Sequence, residues 1–420
     1  MSQETTPYTP ATLDAYSPGA VRGWRNALFV IFAACGVGMA SWAARIPAIG
    51  AALDLSTAQI GVLLFGVAVG SIVGLLASGH LVAIFGARRV ILIVLIVASV
   101  ALAAASFGVA VFGSFAISFA ALIVFGGAIG TCDVAMNVSG AANERKLGRS
   151  IMPIYHAFFS GGTIVGAGLG ALAEGLHVPL EIHITVLAAI IIAGTFVAVR
   201  FLLPEIDEAA LAASAESHPA DTWRSRLTIW RDPRTLLIGL IVLGMAFTEG
   251  SANDWASYAS VHGHGTDRAT GALVLGIFVT AMTIGRVAGV RVLDRFGRVP
   301  VLRGSAILAA IGLIIFIFVP VFWIDIVGVV LWGLGASLGF PVGMSAAADD
   351  PRKAAARVSA VATIGYVAFL VGPPAIGFLG EQFGILRGLL LVLVLAAVAG
   401  FASFAAREPQ SPAISEATTP

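Results

Sequence analysis

The chain has 420 residues, of which 58% are hydrophobic and 11% are charged, and its mean hydropathy is +0.97. A soluble globular domain carries about 25% charged residues, so this composition predicts that most of the chain lies in a lipid bilayer. The formal net charge of +1 leaves no basic surface for a nucleic acid, and no nucleic-acid partner is expected.

A membrane-spanning helix needs about 20 mostly apolar residues. Twelve segments of the sequence meet this requirement, and we therefore predict an all-α polytopic membrane protein. The predicted spans cover residues 24–45, 57–81, 89–110, 114–138, 152–174, 180–203, 235–258, 269–291, 299–320, 322–346, 355–379 and 385–406.

Polar segments divide these spans into two groups of six. Residues 1–21 are polar and rich in Pro and Thr, a composition that predicts a disordered tail. Residues 204–234 are predicted to form a cytoplasmic linker, and residues 407–420 a C-terminal tail. The segments between them, residues 22–203 and 235–406, are predicted to form two six-helix bundles.

The basic residues predict how the chain is oriented. Lys and Arg concentrate in the cytoplasmic loops of multi-pass proteins. If the N-terminus is cytoplasmic, nearly all basic residues fall on inner loops and helix ends, and the outer side keeps Arg45, Arg268 and Arg387. We therefore predict cytoplasmic termini and a bacterial-type inner membrane.

The two predicted bundles share short sequence similarities. Residues 61–66, GVLLFG, in the second span match residues 271–276, GALVLG, in the eighth. Residues 41–43, SWA, near the end of the first span match residues 254–256, DWA, in the seventh. Parallel repeats of six helices are typical of secondary transporters whose binding site lies between the halves.

The sequence contains no pattern typical of an enzyme or a cofactor site. Glycines recur at every fourth position in several spans, but no Gly-Lys-Ser/Thr sequence accompanies them, which argues against ATP-driven transport. No nucleophile–base pair or metal-ligand spacing occurs, so no enzymatic activity, cofactor or metal ion is expected. Cys35 and Cys132 lie in apolar segments and are interpreted as packing residues.

Two loops resemble the signature loop of a transporter family. Residues 79–89, GHLVAIFGARR, follow the second span, and residues 294–298, DRFGR, follow the eighth. Both resemble the motif G-x-x-x-D-R-x-G-R-R/K of the major facilitator superfamily, and the resemblance extends over residues 22–406. It implies a major facilitator fold of two pseudo-symmetric six-helix bundles.

In that superfamily the loop latches the cytoplasmic side of the transporter. The first copy here has Ala83 and Ile84 where the family has its acidic and first basic residues, so the latch is expected either to be weaker or to depend mainly on the second copy. The resemblance implies a latch role for five charged residues: Arg88, Arg89, Asp294, Arg295 and Arg298.

Three further stretches resemble one branch of the superfamily. They are residues 133–137, DVAMN, residues 151–161, IMPIYHAFFSG, and residues 249–255, EGSANDW. The branch is typified by the membrane transporter of operons for the synthesis of rhizopine, an inositol derivative. This resemblance implies a small polar solute, sugar- or polyol-like.

Buried polar side chains near the cytoplasmic side are predicted to form a gate. Asp133 and Asn137 are expected in the inner third of the fourth span, His156 one turn into the fifth, and Arg286 near the inner end of the eighth. Ionisable residues inside a span usually face a cavity or a partner. Asp133 is predicted to pair with Arg286 or with the two arginines of the first loop. Proton transfer by Asp133, or solute contact by Asn137 and His156, is the open alternative.

Glu249 is predicted to lie near the membrane midplane, because it is about 14 residues, or roughly 21 Å, into the seventh predicted span. In the superfamily the seventh span lines the cavity. A desolvated carboxyl group favours its protonated form, so Glu249 is interpreted as the residue that couples transport to protons and contacts the solute. The alternative is a hydrogen-bonded carboxyl that only joins helices.

Near the outside, Arg45 and Asp254 are predicted to form an ion pair that gates the cavity. Trp42 and Trp255 occupy matching positions in the two halves, and they either anchor the helices at the membrane interface or stack on a sugar-like ring. Two more residues are candidates for solute contact by position: Asn253 and Tyr366.

Taken together, these patterns predict a secondary transporter of a small polar solute, coupled to protons and working as a monomer. The arginine that antiporters of the superfamily often carry on the fourth span is absent, which favours symport. Efflux of a metabolite or drug by antiport is the alternative. A transporter-like sensor that no longer transports is a more remote one.

Overall fold

The computed structural model describes residues 16–148, 151–203, 228–349 and 354–408. In these ranges twelve helices are long and apolar enough to cross a membrane, which confirms the predicted number of spans. Most of the predicted linker and of the two predicted tails lies outside the described residues. We number the spans 1 to 12 in chain order, with the bounds Pro18–Ala44, Thr57–Phe85, Ala87–Ala110, Phe115–Leu147, Met152–Gly175, Leu180–Val199, Pro233–His264, Arg268–Phe296, Arg298–Phe318, Phe322–Ala347, Arg357–Phe383 and Ile385–Ala406.

Local capping sets the start of span 1. The Ser17 side chain accepts a hydrogen bond from the Ala20 amide, and Pro18 fits the first helical turn because its missing N–H is not needed there. Span 1 therefore begins inside the segment that the sequence predicts as a polar tail.

Span 4 ends later than the sequence predicts. It continues from its predicted end at residue 138 to Leu147 and stops at Gly148, whose φ of 65° permits the left-handed turn. The Glu144 carboxylate accepts hydrogen bonds from the Ile151 and Met152 amides, both at 2.7 Å. These bonds tie the end of span 4 to the start of span 5.

Two spans contain irregular backbone. Span 10 consists of the helices Phe322–Ala336 and Gly339–Ala347, separated by two residues that include Ser337. Span 11 carries Pro373 and Pro374 in its interior, each of which removes a donor from the helix. Irregular backbone at membrane depth is tolerated where it is buried in protein or lines a cavity. Of these residues Pro373 lines the cavity described below, and the break in span 10 is buried at Ser337.

Glycines pack neighbouring spans of one half closely together. Gly70 and Gly74 of span 2 lie against the backbone carbonyl groups of Ile123 and Gly127 in span 4, where a Cβ atom would collide. Small residues allow such close approach of helix backbones in membranes. Span 5 uses three glycines in the same way against span 1: Gly162, Gly166 and Gly170.

The two halves touch at one end of the molecule. We call the end at which span 1 begins and span 12 ends the terminal end, and the other end the opposite end. No hydrogen bond or ion pair between described residues joins the halves at the terminal end. Toward the opposite end three hydrogen bonds do so: Thr57 with the Tyr258 hydroxyl at 3.3 Å, the Ala58 amide to Glu381 at 3.3 Å, and Ser257 to the Ala44 carbonyl at 3.4 Å.

Candidate solute-binding cavity

A cavity of about 380 Å³ lies between the two halves. Spans 1, 2, 4 and 5 line it from one half, and spans 7, 8 and 11 line it from the other. Its wall is mostly apolar, as is typical of small-molecule sites, in which a few polar groups orient the ligand. Four of its lining residues have carboxylic acid or guanidinium side chains: Asp133, Glu249, Asp254 and Arg286.

Glu249 and Arg286 form an ion pair on the cavity wall. The Arg286 Nη2 donates to both carboxylate oxygens of Glu249, at 2.7 and 2.8 Å, and its Nε donates to the Ser337 carbonyl at 3.3 Å. The Arg286 side chain is 34% exposed and the Glu249 side chain is 17% exposed. Glu249 is therefore not the isolated carboxyl that the sequence suggests, because a guanidinium on the next span neutralises it.

The predicted position of Arg286 is wrong. Span 8 continues to Phe296, ten residues beyond Arg286, so the arginine does not lie at the inner end. It lies at the level of Glu249, which is in the middle of span 7. The predicted ion pair of Arg286 with Asp133 does not form, because Glu249 holds the guanidinium.

Asp133 has an amide as its hydrogen-bonding partner. The Asn137 Nδ2 donates to the Asp133 carbonyl oxygen at 2.7 Å and to its Oδ1 at 3.2 Å. His156 lies within electrostatic range of Asp133 and packs its ring edge-on against Phe32, with centroids 5.4 Å apart. Asp133 lines the cavity, whereas Asn137 and His156 are not among its lining residues.

The two basic residues after span 2 do not reach Asp133. Arg88 and Arg89 are exposed in the first turn of span 3, and neither makes an ion pair with a described residue. The predicted alternative pairing of Asp133 with Arg88 or Arg89 is therefore not formed in this conformation. Both arginines keep only their proposed role in the latch.

Arg45 pairs with Glu174, and the predicted ion pair between Arg45 and Asp254 is absent. The Arg45 Nε lies 2.8 Å from the Glu174 Oε1, and its Nη2 donates to the Val178 carbonyl at 2.9 Å. The side chains of Arg45 and Glu174 are 4% and 9% exposed. The reason is the close packing of spans 1 and 5. Both spans finish at the opposite end of the molecule, so Arg45 and Glu174 lie side by side there.

Asp254 faces the cavity without a counterion. Among the described residues it makes no hydrogen bond and no ion pair, although it lies deep in span 7. The adjacent Asn253 also lines the cavity and has no described hydrogen-bonding partner. From the other half, Trp42 lines the cavity with a buried Nε1 that lacks a partner.

The other aromatic candidates differ in position. Trp255 is fully buried and packs against the Tyr258 ring at 5.6 Å between centroids, so it is neither an interfacial anchor nor a residue of the cavity wall. Tyr366 is 38% exposed and lines the cavity. Trp42 is 3% exposed, which excludes the role of an interfacial anchor for it too.

Charges at the terminal end form pairs within the second half. Of the predicted latch, Arg298 binds Asp349 at 2.5 Å, and Asp349 also accepts a bond from Arg234 at 3.0 Å. Asp294 is exposed and makes no ion pair with a described residue, and Arg295 lies over the Phe296 ring at 5.3 Å.

Asp232 is a second acidic group at this end. Arg357 donates to its Oδ2 at 2.8 Å. Burial raises the pKa of the Asp232 carboxyl, but hydrogen bonds from Thr235 and Arg357 outweigh this effect and hold the pKa below its usual value.

Sequence reasoning missed the partners of these arginines. Glu174, Asp232 and Asp349 each lie near the end of a span, where charged residues look like ordinary flanking residues. The glycine repeat of span 5 was a usable signal that Glu174 lies close to another helix. Such a repeat predicts that span 5 packs closely against a neighbouring span. Nothing in the sequence identified span 1 as that neighbour.

Comparison with known proteins identifies the family. A family model described as the Major Facilitator Superfamily matches residues 27–264 and 251–419. The chain belongs to the major facilitator superfamily. Its members are membrane transporters and not enzymes, so this chain is a multi-pass transport protein.

Two curated relatives cover most of the chain. An uncharacterized MFS-type transporter of Yersinia pestis is 33% identical over 373 residues, which is 87% of this chain and 93% of the relative. The membrane protein MosC of Rhizobium meliloti is 28% identical over 375 residues, which is 88% of this chain and 86% of the relative.

Solved structures confirm the fold. The nucleoside transporter NupG has a TM-score of 0.68 and 15% identity, with 93% of this chain and 100% of that chain covered. A D-xylose–proton symporter has a TM-score of 0.67 and 13% identity, with 92% and 98% covered. At this level of identity the similarity shows the fold alone, which is the predicted major facilitator fold.

Proposed function

We propose that this protein is a secondary transporter that moves a small polar solute, sugar- or polyol-like, by alternating access between its halves. The observation that carries the proposal is the cavity, which both halves line and which three inter-half hydrogen bonds cover at the opposite end. Proteins of this fold include a transporter of nucleosides and one of D-xylose, which are solutes of this polar class.

The distribution of basic residues supports a cytoplasmic terminal end and an inner-membrane location. The halves are joined at the opposite end and not, among described residues, at the terminal end, so this conformation is inward-open in the proposed orientation. The charge pairs of Arg298 and Arg357 then lie on the cytoplasmic side. One chain forms the whole cavity, and a monomer is sufficient for transport.

Protons drive the transport through Glu249, with Asp133 as a second carboxyl on the cavity wall. Arg286 donates to both oxygens of Glu249, and movement of the guanidinium away from the pair would free this carboxyl group. A solute that accepts hydrogen bonds from Arg286 releases Glu249, and the binding of solute and proton is then linked through one pair. The D-xylose–proton symporter supports coupling of this kind in this fold.

Uptake into reconstituted vesicles tests the proposed function. The purified protein is reconstituted, and a panel of sugars, polyols and nucleosides is screened with and without an imposed pH gradient. We expect at least one polar solute to accumulate against its gradient only when the pH gradient is present. Uptake that is identical with and without the pH gradient would contradict proton coupling.

Glu249→Gln tests the coupling residue. The glutamine keeps the size of the side chain but cannot carry a proton, so we expect solute exchange across the vesicle membrane to persist and pH-driven accumulation to be lost. Glu181→Gln, in the first turn of span 6 and away from the cavity, is the control and should accumulate solute normally. Wild-type accumulation by Glu249→Gln would rule out Glu249.

Efflux by antiport is the second candidate function. The mostly apolar wall, which includes Phe125, Phe159 and Phe369, favours it because such a wall also suits an amphipathic metabolite or drug. The same vesicles distinguish the two functions. In a symporter the solute moves in the same direction as the proton, whereas in an antiporter a proton gradient drives the solute the other way.

A further inference from the structure

The cavity wall carries more negative than positive charge. Its carboxylic acid and guanidinium side chains are three acids and one arginine, and the arginine is already held by Glu249 and the Ser337 carbonyl. Asp133 has the Asn137 amide as a hydrogen-bond donor. Of the three acids only Asp254 has neither a hydrogen-bond donor nor a positively charged side chain as a partner among the described residues.

Asp254 is partly buried in this mostly apolar wall, where a carboxylate without a partner is costly because burial removes water without supplying a replacement. A cation or hydrogen-bond donor that enters the cavity removes this cost. Two neutral groups that line the cavity also lack partners among the described residues: the Asn253 side chain, next to Asp254 in span 7, and the Trp42 Nε1 from the other half. The cavity thus presents one anionic acceptor and two groups able to bind oxygen atoms of a ligand.

The aromatic part of the wall suits the same ligand. Phe125, Tyr366 and Phe369 line the cavity together with Asp254. Aromatic faces attract organic cations, and the attraction is stronger where water is excluded. A neutral polyol would satisfy Asn253 and Trp42 but would leave the carboxylate without a countercharge.

We propose that Asp254 binds the ammonium group of an amine-bearing polar solute, while Trp42 Nε1 and Asn253 bind its oxygen atoms. This inference rests on the proposed transport function and specifies its substrate class as small organic amines that carry hydroxyl groups. It requires contributions from both halves, since Trp42 belongs to span 1 and Asp254 to span 7. The solute thereby bridges the two halves.

Thermal stabilisation of the purified full-length protein in detergent tests the proposal. Two pairs of probes are compared at neutral pH and equal ionic strength: glucosamine with glucose, and cyclohexylamine with cyclohexanol. Each pair differs in one ammonium or hydroxyl group. A ligand that binds only the folded state raises Tm, and we expect at least one amine at millimolar concentration to raise it by about 2 °C more than its alcohol.

Variants locate the effect at Asp254. Asp254→Asn should abolish the preference for the amine and weaken its binding by about tenfold or more, because one partner of a buried charge pair is lost. Asp254→Glu keeps the charge and should retain part of the preference. Glu181→Gln removes a carboxyl outside the cavity and should bind the amine like the wild type.

Three results would overturn the proposal. They are equal stabilisation by the alcohol and the amine, an amine effect that survives in Asp254→Asn, and no stabilisation by either amine. If neutral sugars are still accumulated in the vesicle assay, the proposed transport function stands and only the amine class is wrong. If Asp254 only carried a proton, the alcohol and the amine would stabilise the protein equally, or neither amine would stabilise it.

Discussion

Arg45 and Glu174 show how a buried ion pair depends on both partners. Their side chains are 4% and 9% exposed, and the pair lies where spans 1 and 5 end. Taking two charges out of water is costly, and their mutual attraction compensates only while both are present. The pair is therefore a structural feature of the first half in this conformation.

Glu174→Gln should destabilise the protein by about 3–5 kcal/mol, because it removes the ion-pair partner of the buried Arg45 guanidinium. Thermal unfolding of the purified protein in detergent measures this loss. Asp254→Asn is the matched control, since Asp254 does not contact Arg45, and it should not destabilise. If Asp254→Asn were the more destabilising of the two, the Arg45–Asp254 pair expected from the sequence would be the correct one.

At the scale of elements, glycines decide how closely two helices approach. In span 2, Gly74 lies against the Gly127 backbone of span 4, whereas Gly79, five residues later in the same helix, has open space around the position of a Cβ atom. One helix thus contains a tightly packed glycine and a free one.

Gly74→Ala should destabilise the protein by about 1–3 kcal/mol, because the added methyl group forces spans 2 and 4 apart. Gly79→Ala should leave stability unchanged or raise it by about 0.5–1 kcal/mol, since alanine is the better helix former. Thermal unfolding of both variants in detergent measures the difference. Equal effects of the two substitutions would show that spans 2 and 4 are not in close contact.

At the scale of the whole molecule, the two halves must separate at the opposite end for alternating access. Ala167 of span 5 and Gly276 of span 8 lie on facing sides of this contact, and a Cβ atom built on Gly276 would be 3.6 Å from the Ala167 Cβ. This distance is within the range of about 3.5–4.5 Å found in disulfides.

Ala167→Cys with Gly276→Cys should therefore cross-link the halves on oxidation. In a protein without Cys35 and Cys132, we expect oxidation to stop vesicle uptake and a reductant to restore it. Gly23→Cys with Phe201→Cys is the control, because a Cβ atom built on Gly23 would be 3.9 Å from the Phe201 Cβ within the first half. Its cross-link should leave uptake intact, and uptake that continues through the cross-linked Ala167–Gly276 pair would contradict the rocking of two halves.

The number of spans and the family follow from the sequence alone. A span is a local property, since about 20 consecutive apolar residues are enough to define it. The loop motif after span 2 is equally local, and both predictions are confirmed. The sequence also identified seven residues that line the cavity, because helix depth alone selects polar groups inside spans: Trp42, Asp133, Glu249, Asn253, Asp254, Arg286 and Tyr366.

The pairing of these groups follows from how the helices pack, which the sequence does not show. Glu249 binds Arg286 because span 8 continues beyond its predicted end and places the guanidinium at mid-membrane, and Arg45 binds Glu174 because glycines bring span 5 onto span 1. Partner choice depends on the rotation and spacing of neighbouring helices, and no single segment of sequence encodes these. Among the described residues Asp254 has no counterion, and Arg45 and Arg286 are bound to Glu174 and Glu249 instead.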